Sequence, residues 1–329
     1  MKKKEKRSKD KSLAKQIKEI NRSLTPLSSV LKDELGVVSV QVNDGVFYCG
    51  KGIYKKIYMF KPSSLGNKRA AFIKSLTDRF DNRIRFTICF KNYGENTSSY
   101  MFMTVYFDAD SYYDMKAALL SFETRLLKEI CVFLKITIVP CSVDKVLSFI
   151  NLMFSGEMRS YPSDYLFKKE ILSFFPPVND INNGFFSSGK IKGVSFVGKN
   201  IFRPLDDVTG FSLVKKGTYF FVIDFRSFNS DDEHVYSFDL RTKYSNHYFE
   251  NDFSDLVNMS YFFSYLNDSD DDVKDLYDKS FKWFDSKGIY LMPGVGCEKE
   301  MFYSNCSFGL SEFHMFQTAS ANVVGSLLF

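Results

Sequence analysis

A chain of 329 residues, 45% hydrophobic and 25% charged, has the makeup of a globular protein with a sizeable core and room for two domains, which excludes a disordered chain. Its net charge of +5 is concentrated at one end, where residues 1–11 hold seven Lys/Arg against two Asp/Glu and leave the remainder close to neutral. A neutral body with a basic arm is a poor match for a dedicated duplex-binding surface.

In the arm, Lys2, Lys3, Lys4, Lys6 and Arg7 repel one another and keep the segment extended. Beyond it, Leu13, Ile17, Ile20 and Leu24 recur at i, i+4, i+7 and i+11. That spacing predicts a short amphipathic helix with Lys15, Lys18 and Arg22 off its apolar side, ended by Thr25-Pro26. Such a helix either lies on a membrane surface or packs on its own body. Its basic residues and those of the arm are the candidate contacts to an anionic membrane or a partner.

Next, GVVSVQV (36–42) and VFYCG (46–50) flank Asn43-Asp44-Gly45, a strong hairpin signal. Gly50-Lys51-Gly52 then turns the chain into a strand over 53–60. From there to Pro140 the pattern is strand, helix, strand, strand, helix, strand, the split βαβ order of a ferredoxin-like unit. Its first helix carries Leu65, Phe72, Ile73, Leu76 and Phe80. RIRFTICF (83–90) and YMFMTVYF (100–107) are its middle strands, joined by the polar turn 92–96. Ser111 opens a long helix through Leu134 expected to bury Met115, Leu119, Phe122 and Leu126, and KITIVP (135–140) closes the unit. A further amphipathic helix is predicted over 143–154 and a short helical segment over 161–175. Pro176-Pro177 with Asn179, Asp180, Asn182, Asn183 and Gly184 reads as a linker and marks the domain boundary.

The second half begins strand-rich, with 189–198, 210–217, 218–228 and 235–242 running apolar or alternating between turn residues. Residues 251–287 read as helical, interrupted by the acidic run at 267–272, and short strands are expected at the end, including 316–329.

Sequences that invite a chemical reading mostly fail on context. Gly184 to Ile191 matches GxxxxGK, but Ile191 stands where a P-loop needs Ser or Thr, and a strand-like run follows where a helix should. An EF-hand loop begun at Asp268 would put Val273 where Gly is needed and Lys279 where Glu is needed. The acidic run therefore reads as a helix N-terminus. His234, His247 and His314 lack metal-ligand spacing, and no HExxH, GxSxG or HxE…CxxC pattern occurs. Tyr54-Lys55-Lys56-Ile57-Tyr58 interleaves aromatic and basic residues as single-strand binders do, yet period two puts both tyrosines on one face of a strand and the lysines near its edge or surface. The six cysteines form no CxxC pair or regular framework, and Cys89 and Cys131 read as small core residues, which suits a reducing compartment. No apolar run reaches the roughly 20 residues of a membrane span.

Four stretches resemble the N-terminal region of the large conjugation ATPases of type IV secretion systems, the TraC/TrsE-like class. They are VNDGVFYCGKGIYKKIYMF (42–60), YMFMTVYFDADSYYDMKAALLSFETRLLKEI (100–130), the strand and helix ending at Phe154-Ser155-Gly156, and Gln317-Thr318-Ala319-Ser320-Ala321 running to Phe329. That family's Walker A and Walker B motifs lie downstream of where this sequence stops and are absent here. The resemblance thus implies a docking domain, with the motor encoded further on, encoded separately or lost. It also implies a cytoplasmic site on the inner face of the membrane, with inner-membrane subunits and a P-loop ATPase domain or subunit as partners.

The sequence reading is therefore an α+β protein: a basic arm and helix (1–24), a ferredoxin-like unit (36–175) and a second, β-rich α+β domain (185–329). Its expected role is non-catalytic docking and assembly, without cofactor or metal and with homo-oligomers open. Nucleic acid is expected only through the arm. The alternatives are an enzyme with a composite site in the second domain or a nucleic-acid-binding protein using that arm.

Overall fold

The computed structural model describes residues 14–27, 36–60, 65–93, 96–160, 162–167, 178–199, 201, 204, 216–227, 256–305 and 317–328. Expectations for the arm, the helical segment beyond 167, most of 210–217 and all of 235–242 lie outside these residues, as do His234, His247, His314 and Cys306.

In chain order, helix α1 covers 14–21 and leads into strand β1 (Thr25–Pro26), which pairs with β2 (Ser39–Gln41). The hairpin continues through β3 (Val46–Tyr48), with Gly45 at φ 62° in the predicted turn, and β4 (Ile53–Phe60) follows. Helix α2 (Arg69–Thr77) buries Phe72, Ile73 and Leu76. Strands β5 (Ile84–Tyr93) and β6 (Asn96–Asp108) form the next hairpin. The long helix α3 runs from Tyr112 to Leu134, with a π-helical stretch at Phe122–Leu127 between two α-helical parts. Ser111 caps it by accepting from the Asp114 amide, and all four residues expected to face the core are buried. Strand β7 (Ile138–Pro140) completes the unit.

The order β7-β4-β6-β5, antiparallel throughout, is that of a ferredoxin-like sheet, in which each crossover helix spans one intervening strand. Helix α4 (Val143–Ser155) begins at its Ser142 cap and ends at Gly156, where φ of 68° suits glycine. A 3₁₀ turn at Ser163–Phe167 is the described part of the next expected helix.

Pro176-Pro177 of the predicted linker lie outside the described residues, and from Val178 on it is instead a hairpin. Strands β8 (Val178–Asn182) and β9 (Phe185–Ser188) are joined by Asn183-Gly184, both at positive φ, and the Asn-Gly pair favours that two-residue turn. The GxxxxGK match falls on this hairpin and runs directly into β10 (Ile191–Lys199), so strand–turn–strand stands where a loop was expected. Strand β11 (Lys216–Ser227) agrees with prediction.

Strand β12 (Leu256–Asn267) does not, having read as helical. Every one of its residues is buried between β11 and β10, and an apolar run covered on both faces cannot be told from a buried helix by hydrophobicity alone. Helix α5 (Asp270–Ser286) starts at the acidic run, where the Ser269 hydroxyl accepts from the Asp272 amide. Strand β13 (Tyr290–Pro293), helix α6 (Glu298–Asn305), strand β14 (Gln317–Ser320) and helix α7 (Ala321–Ser326) complete the described chain, so the expected terminal strands give way to helix after Ser320.

Among the described residues all fourteen strands belong to one sheet, ordered β1-β2-β3-β4-β6-β5-β11-β12-β10-β9-β8, with β7, β13 and β14 on side branches. The halves expected as separate domains join where β5 pairs with β11 from Ile84 to Tyr93. One face of the sheet packs against α2, α3, α5 and α7, with Phe86, Met103, Phe221 and Phe263 at its centre. The other carries Ile57, Phe102, Phe220 and Leu266 under α4 and α6.

Candidate functional site

Among the described candidate contacts, Lys15 and Lys18 are exposed on α1 and Arg22 is exposed in the turn just after it. The apolar side of that helix is packed on the body: Ile20 and Leu24 touch the core, and Asn21 Oδ1 accepts from the Tyr113 amide at 3.0 Å. Lys2, Lys3, Lys4, Lys6 and Arg7 lie outside the described residues.

Apolar side chains are also exposed at the far end of α3. Val132 is 71% exposed, Phe133 76% and Val139 of β7 50%. The chain reverses there through Lys135 at φ 54°, and Lys68 Nζ caps the helix by donating to the Leu134 carbonyl at 2.7 Å. Val132, Phe133 and Val139 thus flank a single rigid corner.

A buried polar array occupies the α4/α6 face of the sheet. One rung runs Thr104, Arg85, Asp224, Ser260 across four adjacent strands, and the next carries Lys55 opposite Tyr106 and Arg226 opposite Asn258. Arg85 is 1% exposed and Asp224 0%. Arg85 Nη2 donates to Asp224 Oδ2 at 2.7 Å, Nη1 donates to the Ser304 carbonyl at 2.7 Å, and Arg83 Nε lies 3.1 Å from Asp224 Oδ1. Three cations gather round the Tyr106 ring: the Arg83 guanidinium at 3.8 Å, Lys55 Nζ at 4.8 Å and the Arg85 guanidinium at 6.0 Å. At the end of α6, Asn305 donates to Ser264 Oγ, which lies 2.7 Å from Ser195 Oγ.

Sequence reasoning missed this array, although its signal is in the strands. Arg83, Arg85 and Thr87 alternate with Ile84, Phe86 and Ile88, and Asp224 and Arg226 alternate with Ile223 and Phe225. Asn258, Ser260 and Ser264 share one parity in β12. Period two marks a polar face, ordinarily taken as solvent-facing, and the covering by α4 and α6 is a tertiary fact.

The lysines at 55 and 56 are corrected likewise: both are buried rather than at an edge. Lys56 Nζ donates to the Asp44 carbonyl. Burial pulls its ammonium below the ordinary lysine range, against Glu123 and Asp44, which favour the charge. Tyr54 and Tyr58 do share a face, and Tyr58 donates to Glu123 Oε1 at 2.9 Å. Burial would raise the Asp44 carboxyl, but Tyr112, donating at 2.6 Å, and Lys116 at 3.0 Å outweigh it and lower the pKa. This group pins the first hairpin turn to α3.

Five described cysteines are free thiols; Cys89 is buried and Cys131 half-buried. Burial pushes the Cys141 thiol up to about 12, so it is protonated at neutral pH. Among the described residues no group of three His, Cys, Asp or Glu could hold a metal, and no helix is long and apolar enough to cross a membrane. Compared with known proteins, the chain matches no family model, and no curated protein is significantly similar to it.

Proposed function

We propose that this chain is a non-catalytic docking and assembly module of a conjugative type IV secretion apparatus, held at the cytoplasmic face of the membrane. Its partners in this reading are inner-membrane subunits and a P-loop motor. The observation that carries it is the corner of α3 and β7, where Val132, Phe133 and Val139 are turned outward. Large apolar side chains exposed together on a rigid element are typical anchors of a protein interface. The outward basic side of α1 supports a membrane-proximal position. With Ile20 and Leu24 against the body, Lys15, Lys18 and Arg22 remain to meet anionic headgroups by charge alone.

The test is co-purification with the membrane and motor subunits encoded beside the chain. The double variant Phe133→Asp/Val139→Asp is expected to lose the partner while its melting temperature stays within a few degrees of wild type. Undiminished retention of both partners would remove the reading.

A further inference from the structure

The polar array under α4 and α6 holds more hydrogen-bonding capacity than its neighbours use. The hydroxyls of Thr87, Thr104 and Tyr106 are buried and have no hydrogen-bond partner among the described residues. They sit on two adjacent strands, β5 and β6, on one face. Thr104 lies directly opposite Arg85, and Tyr106 two residues further along β6. A buried hydroxyl left without a partner is costly, so the neighbouring pair on β6, Thr104 and Tyr106, calls for a polar guest.

The surroundings select the charge of that guest. The guanidinium groups of Arg83 and Arg85 and the ammonium of Lys55 all lie within 6.0 Å of the Tyr106 ring centre. Both arginines are already engaged by Asp224, and Arg85 also by Ser304, so their role would be to set a positive potential. Among the described residues the unused hydroxyl donors of the array are those of Thr87, Thr104 and Tyr106 on β5 and β6 and of Ser260 on β12. Donors presented by hydroxyls inside a field set by arginines suit a compact oxyanion, which accepts on every oxygen. A carbonyl or neutral hydroxyl would gain the hydrogen bonds but nothing from the field.

We infer that this face is a binding site for a phosphate-class oxyanion, held by the hydroxyls of Tyr106 and Thr104 in the field of Arg83, Arg85 and Lys55. The oxyanion would arrive either as inorganic phosphate or as the terminal group of a nucleoside phosphate. The site owes nothing to the exposed corner of α3, so it stands or falls separately from the docking role.

The experiment is calorimetric titration of the full chain with inorganic phosphate and, separately, with ATP, against chloride at matched ionic strength. Phosphate also stabilises proteins by exclusion from their surfaces, so the decisive comparison is with Tyr106→Phe and Thr104→Val, which remove one hydroxyl each at nearly constant shape. Saturable binding by wild type is expected, with affinity about tenfold or more weaker in each variant. Binding of phosphate but not ATP identifies the free ion as ligand, and the reverse identifies the nucleotide. No saturable binding of either by wild type, or equal affinity in wild type and both folded variants, overturns the inference and leaves ordered water as the guest.

Discussion

Arg85 is a guanidinium withdrawn from water, and such a group is tolerated only when its donors are satisfied and its charge is met. Asp224 meets it, at 2.7 Å, and at the same time takes Arg83 at 3.1 Å. One carboxylate therefore holds two cations, and removing its charge leaves both facing each other in a buried place. Asp224→Asn is expected to cost about 3–5 kcal/mol, read as the shift in urea midpoint at constant slope. A variant within 1 kcal/mol of wild type would mean that Asp224 does not hold the array together. Glu298 offers a pH-dependent counterpart. Burial would raise its carboxyl, but the amides of Gly184 (2.9 Å), Gly296 and Glu298 itself outweigh burial and hold it below the ordinary carboxylate range. A depressed folded pKa contributes stability above the unfolded value of about 4.3 and loses it as pH falls through the folded value. Glu298→Gln should thus be less stable than wild type at pH 6, with the difference shrinking as the pH is lowered below about 4. A difference unchanged across that range would assign Glu298 a role in shape alone.

At the scale of elements, α3 is the clearest case of a pattern that survives an irregularity. Met115, Leu119, Phe122 and Leu126 reach the core on either side of the π-helical stretch, whose extra residue per turn shifts the register of the buried stripe. Leu119→Asp puts a carboxylate into this cluster without a partner. The expected loss is about 3 kcal/mol or more, seen as a fall in thermal midpoint or as insolubility. A soluble variant with a wild-type melt would show that the helix does not press this face on the sheet. Strand β12 teaches the opposite lesson. Its apolar content was legible, but being covered on both sides removed the contrast that separates strand from helix. The faint signal that remained was the parity of Asn258, Ser260 and Ser264.

For the whole molecule, the pairing of β5 with β11 outweighs the apparent break near Pro176. The interface is made of ladder hydrogen bonds along ten residues of β5 and of a core cluster that mixes Phe86 with Phe225, stacked at 5.6 Å. The C-terminal segment adds a second stitch: β14 pairs with β12, while Gly325 of α7 lies against α2, where an added Cβ would come within 2.7 Å of the Ala70 amide. Calorimetry should accordingly show one transition with equal van't Hoff and calorimetric enthalpies, and residues 1–175 alone should aggregate through the bared edge of β5. Two separable transitions, or a monomeric, folded first half, would establish independent domains instead.

The sequence by itself determined the local grammar of this protein. It carried the hairpin at Asn43-Asp44-Gly45, the serine-capped start and buried stripe of α3, the helix at the acidic run after Ser269, and the order of the split βαβ unit. Each is written in turn chemistry and periodicity among residues close in the sequence. The Asn183-Gly184 hairpin belonged to the same grammar and was obscured by the prolines and asparagines around it. The tertiary structure alone decided which polar strand faces meet water. Arg83, Arg85, Lys55 and Asp224 alternate as surface residues do, and only the laying of α4 and α6 across a sheet shared by both halves turns them into a buried, charged array. That covering joins residues more than a hundred positions apart, and no local spacing encodes it.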